Sequence, residues 1–116
     1  DFVALCPEAP RFAFETWILP RTHESRFDQC DEDALAGGAQ TMRQVLRKLV
    51  RIHQHPPFNY FIHTLPLREP AANHYHWHIE ILPQFGRAAG FEWGSGVHIN
   101  AVSPERAAQL LRDAAI

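Results

Sequence analysis

The stretch His74-Tyr75-His76-Trp77-His78-Ile79-Glu80-Ile81-Leu82-Pro83 sets an ionisable side chain at every second position from His74 to Glu80, with an aromatic or aliphatic one between. In a strand, successive side chains face opposite ways. His74, His76, His78 and Glu80 then share one face, with same-face neighbours roughly 6–7 Å apart. Tyr75, Trp77, Ile79 and Ile81 point the other way, into a core. Wound as a helix, the same residues would scatter around the axis and form no stripe. The spacing predicts a strand over 74–82.

Outward from this stripe the chain alternates between two periods. Upstream, 58–65 reads as a second strand, with Asn59, Phe61 and His63 on one face and Phe58, Tyr60 and Ile62 on the other. Pro66, Pro70 and Asn73 mark the loop between the two strands. Before that, Leu35, Ala39, Met42, Val45, Leu46, Leu49, Val50 and His53 recur at helical steps. Asp31, Glu32 and Asp33 suit the positive end of that helix, Pro56 and Pro57 stop it, and Gly37-Gly38 weakens it by about 1 kcal/mol per glycine. His53 and His55 sit near its negative end. The aromatic and β-branched run Phe12–Leu19, closed by Pro20, predicts a further strand with Trp17 in the core. Phe2–Leu5 is a short apolar run, and Glu8–Arg11 is a loop.

Downstream, 91–100 begins and ends like strand but is broken by Gly94-Ser95-Gly96, which suggests a bulge. Ser103-Pro104-Glu105 is a helix start with an N-cap serine, a proline at the first helical position and an acidic first turn. Ala107, Leu110, Leu111 and Ala114 form its buried stripe. The order of elements predicts an α+β antiparallel sheet of about five strands with one long and one C-terminal helix.

With 116 residues the chain has the size of one domain, residues 1–116. A net charge of −2 without a basic run points to neither nucleic acid nor membrane as a partner. No apolar run reaches membrane-spanning length. Cys6 and Cys30 are far apart and outside any C-x-x-C motif, which fits a reducing, cytoplasmic setting. The chain opens on Asp1 and runs straight into apolar residues, so it reads as part of something longer.

Several ordered motifs together resemble a known family. They are Phe14-Glu-Thr-Trp-Ile-Leu-Pro-Arg-Thr-His23, Asn59-Tyr-Phe-Ile-His-Thr-Leu-Pro66, His76-Trp-His-Ile-Glu-Ile-Leu-Pro83, Gly90-Phe-Glu-Trp-Gly-Ser-Gly-Val-His-Ile-Asn100 and Ser103-Pro-Glu-Arg-Ala-Ala108. In order and content they are similar to the C-terminal half of galactose-1-phosphate uridylyltransferases, within the histidine-triad (HIT-like) superfamily. The resemblance implies a HIT-like fold in a two-half enzyme that moves UMP between UDP-sugar and hexose 1-phosphate through a uridylylated histidine. In that family the nucleophile lies in a His-Pro-His segment of the N-terminal half, next to a C-x-x-C zinc site, and neither motif occurs here.

The same resemblance implies that the N-terminal HIT-like half is a missing partner and that the protein is a homodimer. It maps a divalent metal site, Zn or Fe, onto His63, His78 and Glu80, with glutamate where histidine is usual. The hexose-contacting residues map to Phe91, Glu92 and His98, with phenylalanine in place of tyrosine, and Asn59 completes the substrate-binding set.

Read from the residues alone, the stripe leaves three chemistries open. Imidazole and carboxylate together suit Zn²⁺ or Fe²⁺, although three protein ligands leave a coordination position to fill. The alternative is a solvated sheet face without metal. A HIT-type nucleotide hydrolase would use a triad's middle histidine as nucleophile: His78 if the row is counted from Pro83, His76 if only histidines are counted. Glutamate at the last triad position places negative charge where phosphate would sit, which argues against hydrolysis. The third reading is a non-catalytic module that binds metal or sugar phosphate and supports dimerisation. Phe91-Glu92-Trp93 offers an aromatic surface and a hydroxyl acceptor for a sugar, against the plainer reading of a packed edge-strand bulge.

Overall fold

Apolar alternation and helical periodicity meet in a four-stranded antiparallel sheet backed by helices. The computed structural model describes residues 1–116. The elements are β1 (Phe2–Leu5), β2 (Thr16–Pro20), a 3-10 turn (Phe27–Gln29), α1 (Glu32–His53), β3 (Phe58–His63), β4 (His78–Pro83), α2 (Gly90–Ser95) and α3 (Pro104–Asp113). The strand order is β1-β2-β4-β3, which leaves β1 and β3 as edges and β4 in the interior. β4 pairs with β2 through Trp17 opposite Glu80, and with β3 through Phe61 opposite Glu80 and His63 opposite His78.

One face of the sheet makes the core. Ile18, Trp77, Ile79 and Ile81 meet Val45 and Leu49 of α1 and Ala107 and Leu111 of α3, with Phe14 closing one end. α1 forms as its sequence requires. The Asp31 side chain accepts the Ala34 N–H at 2.7 Å, and Gln54 ends the helix in the left-handed conformation. Lys48 of α1 donates to the carbonyls of Leu111 at 2.8 Å and Ala114 at 2.9 Å, capping α3 and tying the two helices together. The Ser103 hydroxyl starts α3 by accepting from Arg106 N–H at 3.2 Å.

Several sequence expectations change. The strand predicted over 74–82 runs only from His78 to Pro83, so His74 and His76 leave the stripe. Its ladder ends there because β3 stops at His63, while Trp77 N–H turns to the Glu24 carbonyl at 2.9 Å and Tyr75 N–H to Ala72. The inward alternation survives: Trp77, Ile79 and Ile81 are buried and Tyr75 packs against them. Residues 12–15 form a turn rather than strand, with Phe14 in the left-handed region at φ 61° and the Glu15 carboxylate accepting the Arg11 N–H at 2.7 Å.

The strand expected at 91–100 is instead the short helix α2, so the sheet has four strands where about five were expected. Glu92 reaches back to the Ala89 N–H at 2.9 Å, and Gly96 closes the helix at φ 70°, a conformation glycine adopts without a Cβ penalty. The Gly-Ser-Gly break is therefore a helix terminus, not a bulge. Gly37 and Gly38 are likewise more than a weak point in α1. The Phe2 ring lies over them, and a Cβ on Gly38 would stand 3.3 Å from it.

Candidate functional site

On the face away from the core, β2, β3 and β4 bring Trp17, His63, His78 and Glu80 side by side. A carboxylate in the middle of a sheet needs partners, since burying an unpaired charge is costly. Glu80 has them. One oxygen takes the Arg11 guanidinium and the other accepts the His63 Nε2–H at 2.7 Å. The Glu80 side chain is 6 % exposed, against 46 % for Arg11. Burial alone would raise its carboxyl, but hydrogen bonding with Glu15, His63 and Arg11, and the charge of Arg11, bring it down to about 2 from 4.5.

His78 lies between two rings. Trp17 stacks on one side at 4.8 Å and 25°, and His63 on the other at 4.8 Å and 22°. Its Nδ1–H donates to the His76 carbonyl at 3.2 Å, so in the neutral ring the lone pair sits on Nε2. The Trp17 indole N–H donates to Glu15 at 3.1 Å. Trp17 thus belongs to the site face and is half-buried, whereas the core tryptophan is Trp77. His76 stands on the loop before β4, bonded to the Pro20 carbonyl at 2.8 Å and edge-on to His23 at 5.0 Å.

His63, His78 and Glu80 are brought together as the sequence suggests, but not as a ligand shell. Both Glu80 oxygens are engaged, His63 has its Nε2–H committed to one of them, and the two imidazoles are stacked face to face. No group of three or more His, Cys, Asp or Glu side chains in the chain is arranged to hold a metal ion. The residues present do not fit a divalent metal in this arrangement.

A second region lies at the Pro83 end of the sheet. Residues 85–102 fold over the 11–14 turn and with it line a half-open cavity of about 520 Å³. Its wall includes Arg11, Phe12, His53, Phe85, Arg87, Glu92, Trp93 and His98. Glu92 and His98 therefore share one cavity, while Phe91 is exposed and outside that wall, and Asn59 stands on the β3 edge. The Ala89 N–H bond holds the Glu92 carboxyl below its ordinary value. The His98 ring sits edge-on to Phe12 at 5.5 Å.

His53, in the last turn of α1 as its position near the helix's negative end implied, is wedged between Phe14 at 4.7 Å and Phe85 at 4.0 Å. Burial lowers its pKa, and its Nε2 is buried without a partner. Sequence reasoning missed Arg11, Glu15 and Arg87. The one available signal was Glu80 itself, because a carboxylate inside an apolar strand calls for a cation, although nothing in the sequence says which one.

The sheet order and its helices define a histidine-triad fold. A HIT-like protein from Bartonella henselae superposes with a TM-score of 0.70 at 15% identity, over 99% of this chain and 81% of that one. No family model matches the chain. Its homologues are nevertheless plain. ADP-glucose phosphorylase of Arabidopsis thaliana is 36% identical over 117 residues, covering 99% of this chain and 33% of its own length. The crystal structure of that enzyme with bound ADP-glucose matches with a TM-score of 0.90, over 99% of this chain and 38% of that one. Galactose-1-phosphate uridylyltransferase of Thermotoga maritima is 29% identical over 120 residues, 97% of this chain and 38% of its own length. These homologues are nucleotidyl-transferring enzymes, and the chain matches their C-terminal half while spanning only about a third of their length.

Proposed function

We propose that this chain is the sugar-phosphate-binding domain of a nucleotidyltransferase acting on sugar nucleotides, with the nucleophile supplied by an N-terminal HIT-like half. The observation that carries this reading is Glu80. A carboxylate, with its two oxygens taken by Arg11 and His63, occupies the last triad position beside His78 and offers an incoming phosphate no hydrogen-bond donor.

The cavity lined by Glu92, His98 and Arg87 supplies what a sugar phosphate requires: a carboxylate acceptor for hydroxyls, an imidazole, a cation and aromatic walls. The bound ADP-glucose of the Arabidopsis relative favours a hexose-phosphate ligand of this kind. UMP transfer, as in the Thermotoga relative, and adenylyl chemistry on ADP-glucose are the two forms the reaction would take.

The remaining half has a place to dock. β3 is an edge strand whose Phe58, Tyr60 and Ile62 are exposed beside the buried Ile79 and Ile81, so both its outer backbone edge and an apolar face await a neighbour. The outward-facing Phe91, 60 % exposed, suits contact with a second copy in a homodimer. Binding of glucose 1-phosphate by titration calorimetry tests the assignment. Glu92→Gln and His98→Ala are each expected to weaken it about tenfold, the worth of one hydrogen bond to a charged group. Unchanged affinity in both variants removes the cavity from the function.

One observation favours a second reading. The His78 Nδ1–H bond to the His76 carbonyl leaves Nε2 with the lone pair a nucleophile needs. In a hydrolase, Nε2 would bond to the α-phosphorus as the bond to the bridging oxygen breaks, that oxygen keeping the electron pair. Water would then release the nucleotide. Incubation with α-labelled UDP-glucose or ADP-glucose separates the two readings. The first expects no covalent label, and label on His78 that is lost in His78→Asn would establish the second.

A further inference from the structure

The side chains around Glu80 form a closed circuit. Arg11 bonds Glu80, Glu80 bonds His63, His63 stacks on His78, and His78 stacks on Trp17. Trp17 then donates to Glu15, and Glu15 accepts the backbone N–H of Arg11. We propose that this domain organises its His63–His78–Glu80 face with an internal guanidinium, Arg11, in the role a bound divalent cation would otherwise fill.

Three features carry the inference. The guanidinium is a permanent cation and already neutralises Glu80, so a metal would have to displace it. Glu80 has no free carboxylate oxygen, because His63 takes the one Arg11 leaves. The imidazoles are held by stacking, with His78 covered on both ring faces, so turning either lone pair to a metal breaks the stack. Arg11 itself is not adrift on the surface, since Glu15 fixes its main chain and approaches its side chain at 3.9 Å. Arg11 is therefore a positioning residue. It holds Glu80, and through Glu80 it sets the ring of His63 against His78.

Metal analysis and thermal melting of the purified protein test this. The wild type is expected to contain no stoichiometric Zn or Fe. Its Tm should be unchanged by EDTA and by one equivalent of Zn²⁺. Arg11→Ala should lower Tm by about 4 °C or more. Because the Arg11 side chain is half exposed, millimolar methylguanidinium should recover part of that loss where NaCl at equal ionic strength does not. The rescue should vanish in the Arg11→Ala/Glu80→Gln double variant, an outcome that a packing role for Arg11 would not produce. Arg11→Lys, which keeps charge but not the fork, should melt between wild type and Arg11→Ala. One equivalent of Zn or Fe in the wild type that disappears in Glu80→Gln overturns the proposal. So does an Arg11→Ala variant that melts like the wild type.

Discussion

The Glu80 face and the 85–102 segment are built from similar residue types, each with a carboxylate, histidines and aromatic rings, yet they are held in opposite ways. Around Glu80 the decisive contacts join the 11–15 turn, β2, β3 and β4, so the arrangement exists only when those four are assembled. Across 85–102 most bonds are local. Glu92 bonds Ala89 three residues back, Ser95 bonds the Phe91 carbonyl at 2.6 Å, and the Trp93 indole bonds the Ala88 carbonyl at 3.2 Å. Trp93 remains 80 % exposed. A region fixed by long-range ion pairs and stacking contributes to stability. One fixed by its own neighbours can be altered cheaply, which suits the binding surface proposed for it.

Breaking the first region should cost most. Glu80→Ala leaves Arg11 and His63 without their acceptor and is expected to lower the unfolding free energy by about 2 kcal/mol, read from urea denaturation. The same contact has a pH signature. Because the folded carboxyl is depressed, its stabilisation is fully present above the unfolded value of 4.5 and is lost as pH falls towards about 2. Wild-type stability should drop across that window, and the drop should shrink in Glu80→Gln. A Glu80→Gln profile parallel to wild type would show that the acid sensitivity lies elsewhere.

Trp17→Ala removes one side of the His78 stack and the donor to Glu15. It is expected to cost about 1.5 kcal/mol, short of the Glu80 effect because the indole is only half-buried. Ile62→Lys on the open edge of β3 should change stability by no more than about 0.5 kcal/mol while abolishing association with an N-terminal HIT-like half in a pull-down. Glu92→Gln should leave the urea midpoint unmoved and act only on sugar-phosphate binding. A clear fall in its midpoint would erase the contrast between the two regions.

The sequence determined which faces would be apolar. Ile79 and Ile81 had to point one way and His78 and Glu80 the other, because strand side chains alternate; α1 had to start at Asp31 and α3 at Ser103, because local capping settles helix starts. That His63, His78 and Glu80 could converge was legible too, on condition that their strands are neighbours, and β3 does pair with β4.

What the sequence could not reveal was where each pattern stops and which distant partner completes it. The row of histidines ends at His78 because β3 offers no further ladder, and the run before Thr16 turns because Glu15 captures the N–H of Arg11. Residues 91–95 coil because Glu92 and Gly96 cap a helical turn that the glycines disguised. Arg11 meets Glu80 across 69 residues of chain. Periodicity is a property of neighbours along the chain and survives in the sequence. A charge's partner is chosen by proximity in space, and only the folded sheet supplies it.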